Sequence, residues 1–480
     1  MDARGSERSF SRAVLGIAAL IVASALVPFS IQFGSVRVDA VVIGVPFALA
    51  MSLPFVLRRG VGDVRWSIIG WFGAVFALFA AMSIVFNPSS ASAVATLVRY
   101  LSYFALTLLV GLVGSDEPAR RLLMWVVVAS GVGTVAVSAY QVVTGQAAAG
   151  MTGLGASVGT RVSGTLGNAN FYGEFLVMAF AVALALVILQ KGRARLYAGA
   201  GLLAMAGALF LTYTRGSWLA LAFALAVSIP FVSKRLFLPL VAGAAVAIVA
   251  IPGILPRVLS IFSTHGSATF RFNLWHVAGS AILAKPVFGW GLGEFLAAYR
   301  ATVIAHPALY MGYLGYGAHN AYFTLVVETG LLGGVAFILL VFFVATRGLF
   351  VAYRQGVPYE VRVESVVLGT GLIAFAVNAL TSNSFQHPQA AVFFWIVAGL
   401  LVGASDGWLS APSTPVRGDR ERVSSSVVLS DSLALRAWNR TLSSVGRVWY
   451  SSVAFRIFVA GHPTHTLEGG FLARYVRPRS

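Results

Sequence analysis

The chain has 480 residues, of which 58% are hydrophobic and only 10% are charged, and its mean hydropathy is +0.84. Soluble domains carry about a quarter charged residues, so this composition excludes an ordinary soluble fold. The absence of cysteine excludes disulfides, thiolate metal ligands and cysteine nucleophiles, while the net charge of +18 indicates no partner until its placement along the chain is known.

Apolar stretches of roughly 17 to 25 residues, the length that crosses about 30 Å of hydrocarbon as a helix, recur along the chain. They predict twelve spans, at residues 13–31, 38–57, 66–86, 95–114, 122–143, 171–190, 196–213, 217–232, 236–251, 320–344, 363–380 and 390–403. The first span has the basic flank of a signal peptide, but its apolar stretch continues beyond the small residues Ala23 and Ala25, so we interpret it as an uncleaved anchor. The predicted fold is an all-α transmembrane bundle over residues 1–404.

Basic residues cluster in every second connection of this predicted bundle. The clusters are Arg4, Arg8 and Arg12; Arg58, Arg59 and Arg65; Arg120 and Arg121; Lys191, Arg193 and Arg195; Lys234 and Arg235; and Arg347, Arg354 and Arg362. By the positive-inside rule these connections and both termini are cytoplasmic. The connections 144–170 and 252–319 then face the periplasm, as in a bacterial inner membrane.

The tail over residues 405–480 adds ten arginines on the predicted cytoplasmic side. Residues 435–449 alternate apolar and basic positions at helical spacing, which predicts an interfacial helix on anionic lipid. The alternative is a partly disordered tail. Membrane lipids are thus expected partners, and nucleic acid is not.

Eight basic residues lie outside the cytoplasmic set: Arg37, Arg99, Arg161, Arg215, Arg257, Arg271, Lys285 and Arg300. A charge near the membrane is costly and is usually retained for a pathway, a partner or a ligand. Arg215 lies in a very short predicted outer turn between two spans, where a guanidinium can pair with phosphate through two hydrogen bonds. The structural alternative is an arginine that anchors a helix end at the interface.

His319 and Asn320 stand at the start of the tenth predicted span, directly after the long outer connection. A histidine can be neutral near pH 7 and accept a proton from a sugar hydroxyl, as a general base must. A helix-capping or interfacial histidine is the alternative. Glu328 and Glu174 lie within predicted spans, where a carboxylate needs a partner, and we interpret Glu328 as structural rather than catalytic.

The outer connection 252–319 combines an amphipathic segment with tyrosines near its end. Residues 270–284 predict a helix against the membrane surface. Its apolar positions at helical spacing are Phe272, Trp275, Ala278 and Ile282. Tyr313 and Tyr316 suit the apolar faces of sugars and equally suit the membrane interface. The sequence shows no metal-ligand motif and no pair of outer carboxylates, which disfavours a metal site and a two-carboxylate glycosidase mechanism.

Four segments together resemble the bacterial O-antigen ligase and O-antigen polymerase superfamily. They are RVSGTLGNANFYG at 161–173, LTYTRGSWL at 211–219, RFNLWHVAGSAILAKPVFGWGLGEF at 271–295 and AHNAYFTLVVETGLLGG at 318–334. Their order and their relation to one long outer connection carry the resemblance. One departure is Thr214, because many relatives have serine before the Arg-Gly pair; the hydroxyl is kept.

The resemblance implies an enzyme that transfers an undecaprenyl-diphosphate-linked glycan to an acceptor hydroxyl without metal, nucleotide or other cofactor. Arg215 and Arg271 are then expected to bind the diphosphate, and His319 to act as general base or to orient the acceptor. The further residues expected to contact substrate are Arg161, Asn168, Asn170, Asn320, Tyr313, Tyr316 and Arg99. Those expected to support the site are Glu328, Glu174 and Trp275. Transfer by direct displacement would invert the anomeric carbon.

Ligation to lipid A core sugars, polymerisation of repeat units and glycosylation of a protein hydroxyl all stay open, because members with these activities share the motifs. A secondary transporter or lipid flippase also fits twelve spans, although the two halves show no matching pair of segments broken by glycine or proline. A membrane scaffold without catalytic activity would leave Arg215, Arg271 and His319 unexplained.

Overall fold

The computed structural model describes residues 3–27, 30–33, 36–59, 68–87, 91–146, 161–232, 242, 267–354 and 356–410. The predicted ninth span therefore lies, apart from residue 242, outside the described residues. The same holds for residues 147–160, for residues 252–266 and for the predicted tail helix at 435–449.

Thirteen α-helices are described within these ranges. They are α1 (Ala3–Leu26), α2 (Ala40–Arg59), α3 (Ile68–Val85), α4 (Ala91–Gly114), α5 (Glu117–Val143), α6 (Ala169–Leu189), α7 (Gly192–Leu211), α8 (Arg215–Val232), α9 (Ser267–Ala284), α10 (Phe295–Ala305), α11 (Ala321–Tyr353), α12 (Tyr359–Asn378) and α13 (Pro388–Ser410). Single 3-10 turns follow α10 and α12, at Pro307–Leu309 and Ser384–Gln386.

Nine of the described helices are long and apolar enough to cross a membrane, namely α1, α2, α4 to α8, α11 and α13. Helix α3, at the predicted third span, is a shorter apolar helix, and α12 matches the predicted eleventh span. The predicted all-α membrane fold is confirmed, whereas the count of twelve spans stays a prediction.

Helices α6 and α13 form the centre of the bundle. On α13 every side chain from Ala390 to Ala398 is at most 1% exposed, and on α6 the stretch from Tyr172 to Ala179 is equally buried. Helix α4 packs against α13 so closely that a Cβ at Gly403 would lie 2.5 Å from the carbonyl carbon of Gly114. These contacts make α4, α6 and α13 a fixed frame for the remaining helices.

A buried ion pair and a partly exposed one connect helices at one end of the bundle. Arg120 donates from Nε to Glu364 at 2.6 Å and from Nη1 to the carbonyl of Gly114 at 2.6 Å. Arg347 pairs with Asp406 at 2.8 Å. These arginines belong to the clusters that the sequence assigns to the cytoplasmic side.

A two-stranded antiparallel hairpin, β1 (Ser30–Phe33) and β2 (Val36–Asp39), joins α1 to α2. The predicted first span is wrong at this end: it was expected to continue to residue 31, but α1 ends at Leu26. Proline at position 28 of the sequence explains the early end, because a proline disfavours helical geometry in the residue before it.

The predicted helix at 270–284 is present as α9, and three of its four expected apolar positions, Trp275, Ala278 and Ile282, pack against protein. Phe272 is 56% exposed, while Leu274, Val277, Ala278 and Ala281 are buried. These buried residues form a small core with α10 and the start of α11. Helix α9 therefore buries a face that contains most of the expected apolar positions, and Phe272 lies outside it.

Candidate active site

Arg215 is the first residue of α8, directly after a three-residue turn from α7. The turn is tight: Tyr213 has φ of +50°, in the left-handed region, and the amide of Thr214 donates to the hydroxyl of Thr212 at 3.2 Å. The indole of Trp218 donates back to the carbonyl of Leu209 at 2.9 Å. Arg215 is thereby held, half-buried, at the start of a helix.

Arg161 fixes this turn to the start of α6. Its Nε donates to the carbonyl of Thr212 at 2.8 Å, and its Nη2 donates to Asn170 Oδ1 at 2.8 Å and to the hydroxyl of Thr214 at 3.0 Å. The Thr214 hydroxyl in turn donates to the carbonyl of Ala169 at 3.0 Å. Arg161 and Asn170 thus have a structural role in this fold, and their predicted substrate contact stays a prediction.

Asn168 and Asn320 are both helix N-caps. Asn168 Oδ1 accepts from the amide of Asn170 at 2.8 Å at the start of α6. Asn320 Oδ1 accepts from the amides of Tyr322 and Phe323, each at 3.0 Å, at the start of α11. Asparagine is a preferred N-cap because its side-chain oxygen satisfies amides that the helix leaves unpaired. The sequence predicted substrate contact for both residues, and this remains untested.

His319 precedes the Asn320 cap and has φ of +47°, which is uncommon for a residue with a side chain. Its ring lies 6.2 Å from that of Phe270 on α9. Burial, and then the positive charge of Arg271, lowers the pKa of His319 below its ordinary value. The imidazole is therefore favoured in its neutral form, which can accept a proton.

Arg271 joins this group from α9. Burial, and then the charge of Arg215, lowers the pKa of its guanidinium. The charge of Arg215 lowers the pKa of Arg271, and the charge of Arg271 lowers the pKa of His319. The fold therefore brings together three predicted site residues that lie on three separate elements. Two partly buried like charges repel, and such an arrangement is favourable when an anion lies between them.

The connection between α12 and α13, residues 379–387, contacts both the Arg215 turn and the His319 segment. Asn378, at the end of α12, donates from Nδ2 to the hydroxyl of Ser217 at 3.0 Å. The amide of Ala321 donates to the carbonyl of Ala379 at 2.9 Å. A Cβ on Gly317 would lie 2.7 Å from Asn383 Nδ2. This connection therefore sets the position of two of the three central residues.

Glu174 lies against the same connection from α6. It is 0% exposed, and its carboxylate lies beside the hydroxyls of Ser382 and Ser384. Neither carboxylate oxygen completes a hydrogen bond of normal geometry with the described residues, and the same is true of the Ser384 hydroxyl. A buried carboxylate persists only with a proton, water or polar ligand groups beside it.

The polar connection 379–387 was not among the predicted site residues. Its signal is the run TSNSFQHP at 381–388, between two strongly apolar segments on the predicted outer side. His387 stacks on Phe171 with ring centroids 3.8 Å apart, so this run also contacts the start of α6.

Glu328 is buried on α11 and bonded to the main chain, and its predicted supporting role stays a prediction. Its carboxylate accepts from the amides of Gly293 and Phe295. Just beyond it, Gly330 interrupts α11 with φ of +78° and ψ of 176°, and the carbonyls of Val327 and Glu328 accept from the amides of Trp290 and Gly291 at 2.9 and 3.0 Å. The connection between α9 and α10 thus docks into a broken membrane helix.

Aromatic residues line the outer segment beside His319. Tyr316 packs against Phe270 at 4.8 Å and against Tyr313 at 5.0 Å, and Tyr313 is 57% exposed. Trp275 contacts Phe323 at 5.8 Å, which joins α9 to α11 and supports the position of Arg271. Arg99 lies on α4, where its charge acts on Glu328.

These features define the class: a multi-pass membrane protein with two arginines and a histidine gathered at one end of its bundle. Residues 200–338 match the family model described as O-antigen ligase. The match supports membership of the O-antigen ligase superfamily, so the resemblance predicted from the sequence is confirmed. It also supports the assignment of an O-antigen ligase-like membrane glycan transferase. No curated protein matches the chain.

The matched segment contains Arg215, Arg271 and His319, the three residues that interact electrostatically. It begins after Arg161 and Glu174 and ends before the connection 379–387. The roles of Arg161, Glu174 and the connection 379–387, which lie outside the matched segment, therefore rest on their contacts alone.

Proposed function

We propose that this chain transfers an undecaprenyl-diphosphate-linked glycan to an acceptor hydroxyl on the periplasmic face of a bacterial inner membrane, with lipid A core sugars as the first acceptor to test. The observation that carries the proposal is the electrostatic group formed by Arg215, Arg271 and His319. A diphosphate leaving group needs fixed positive charge where negative charge develops, and the two half-buried guanidinium groups would supply it.

In the proposed reaction the acceptor hydroxyl attacks the anomeric carbon of the donor. The bond from that carbon to the diphosphate oxygen breaks, and its electron pair leaves with the diphosphate, which Arg215 and Arg271 hold. His319 accepts the hydroxyl proton, since its lowered pKa favours the neutral imidazole. A single displacement inverts the anomeric configuration and consumes neither nucleotide nor metal.

The orientation of α11 supports a periplasmic site. His319 precedes this helix, and Arg347 and Arg354 lie at its other end. The part of α11 after the break at Gly330, residues 331–353, has 23 residues and is about 35 Å long at roughly 1.5 Å per residue, which is enough to cross a bilayer core. Under the positive-inside rule the arginine end is cytoplasmic, so the His319 end faces outward.

The test is transfer in vitro by the purified full-length protein, reconstituted in vesicles with an undecaprenyl-diphosphate glycan. Separate reactions offer lipid A core, a second copy of the donor, or a protein acceptor. We expect glycan on one acceptor, with release of undecaprenyl diphosphate, in the presence of a chelator and without nucleotide. Release that requires a re-added divalent ion would contradict the mechanism, and movement of intact donor across the vesicle would indicate a flippase.

A further inference from the structure

A cavity of about 230 Å³ lies between α2 and α4. The α2 side is apolar, with Val41, Val42, Val45 and Pro46. The α4 side carries Ser92, Thr96, Arg99, Ser102 and Tyr103 beside Ala95 and Val98. One wall is therefore hydrocarbon and the other polar, as an amphipathic ligand requires.

The polar wall of this α2–α4 cavity follows directly from sequence spacing. Ser92, Thr96, Arg99 and Tyr103 recur at intervals of four, three and four, so they share one face of α4. Pro46 and Ala95 are exposed, and Val98 is 55% exposed. Because α2 and α4 are both candidate membrane spans, the cavity opens sideways, toward lipid.

Arg99 is the charged group of the cavity. Its Nε is buried and has no hydrogen-bond partner among the described residues. Its charge acts on Glu328, yet the two side chains form no ion pair within 4.0 Å in the described structure. A guanidinium N–H without a partner is costly in a membrane helix, and a phosphate oxygen is its best complement.

The cavity lies at the same end of the bundle as the candidate active site. A Cβ on Gly293 would lie 3.3 Å from the Thr96 hydroxyl of α4. The amide of Gly293 also donates to Glu328, which lies in the half of α11 nearer to His319. The first turns of α4 are therefore on the His319 side of the bundle.

We propose that the α2–α4 cavity binds one anionic glycerophospholipid, with its phosphodiester on Arg99 and its chain along the valine wall of α2. One guanidinium suits one phosphodiester, whereas the paired charges of Arg215 and Arg271 suit a diphosphate. The lipid would hold α2 against α4 beside the connection between α9 and α10. The inference does not rest on glycan transfer and is tested without any glycan.

The experiment measures lipid binding by native mass spectrometry of the delipidated full-length protein. Phosphatidylglycerol is the probe, phosphatidylcholine is the uncharged comparison, and undecaprenyl phosphate tests the donor lipid. Arg99→Gln removes the charge and keeps most of the volume, while Ala95→Leu fills the cavity and leaves Arg99 unchanged. Arg121→Gln is the matched control, since Arg121 is a partly exposed arginine paired with Glu117.

We expect Arg99→Gln to weaken binding of one phosphatidylglycerol by about tenfold, the effect of one lost charge-assisted hydrogen bond. Ala95→Leu should weaken it too, and Arg121→Gln should not. Equal binding by Arg99→Gln and the wild type would overturn the proposal. So would an effect of Arg99→Gln on undecaprenyl phosphate alone. If Arg99→Gln does not fold, wild-type binding by Ala95→Leu is the overturning result.

Discussion

Arg271 on α9 lies in the electrostatic field of Arg215 at the start of α8, and this field adds to burial in lowering the pKa of the Arg271 guanidinium. Neither residue gains stability from the other, because like charges repel. The fold nevertheless holds both, through the short α7–α8 turn on one side and the packing of Trp275 on the other. An anion between the two guanidinium groups would relieve this repulsion, and this determines what removal of either arginine should do.

Arg215→Lys should reduce transfer by roughly a hundredfold, the effect of losing a fixed donor to a developing negative charge. Lysine keeps the charge but loses the planar pair of donors that matches phosphate. The measurement is initial rate with purified donor, alongside expression and thermal unfolding. An Arg121→Lys protein is the control, and equal rates for both variants would refute a diphosphate role for Arg215.

His319→Ala should lower kcat by roughly 10²- to 10⁴-fold, as expected for a lost general base, with a smaller effect on donor affinity. Donor binding is measured separately by retention of labelled undecaprenyl-diphosphate glycan. A large loss of binding with unchanged kcat would instead make His319 a binding residue.

The pH dependence of transfer should show the effect of Arg271 on the pKa of His319. The base must be neutral, so kcat/KM should fall as pH drops through the lowered pKa of His319. Arg271→Gln removes the positive charge that contributes to this lowering, so the pKa of His319 should rise and the acid limb of the residual activity should move to higher pH. An unmoved limb would mean that another group titrates.

Thr214 gives a matched pair of substitutions. Thr214→Ser keeps the hydroxyl that bridges Arg161 and the carbonyl of Ala169, and it should retain stability and transfer. Thr214→Val removes the hydrogen bonds to these two partly buried partners and should destabilise the protein by about 1 to 3 kcal/mol. Thermal unfolding of the two proteins checks this, and equal melting temperatures would show that the bridge is dispensable.

Gly330→Ala should destabilise the protein by about 2 kcal/mol or more. The position has positive φ, and a Cβ there would lie 2.0 Å from the carbonyl oxygen of Val287. Gly207→Ala is the control, because a Cβ at Gly207 meets nothing within 4 Å and alanine favours the helix. If both variants melt together, the break in α11 is not required.

The sequence predicted the helices and also the site residues Arg215, Arg271 and His319, but through different signals. Arg215 violates the charge rule in a short turn, which physical reasoning detects. The proximity of Arg271 and His319 followed only from the family resemblance, since no local pattern relates α9 to the start of α11. Glu174 was noticed as an intramembrane carboxylate, but its neighbours Ser382 and Ser384 were not, because contacts between distant segments leave no periodicity.

The misplaced end of the first span has an equally local cause. Residues 30 and 31 were included in that apolar span, although a hairpin needs only a short apolar strand and a partner. On α9 the expected apolar positions largely pack against α10 and α11, and Phe272 is the exception.

Helices α6, α8 and α11 all begin at the candidate active site. Thr214 joins α8 to α6 through the carbonyl of Ala169, and the end of α12 joins α8 through Asn378 and α11 through Ala379. Aligned peptide dipoles give each helix N-terminus about half a positive charge. Part of the attraction for an anion is therefore expected from the main chain. Consequently a protein that lacks both arginines should still concentrate anions at this end, and salt should weaken that residual affinity.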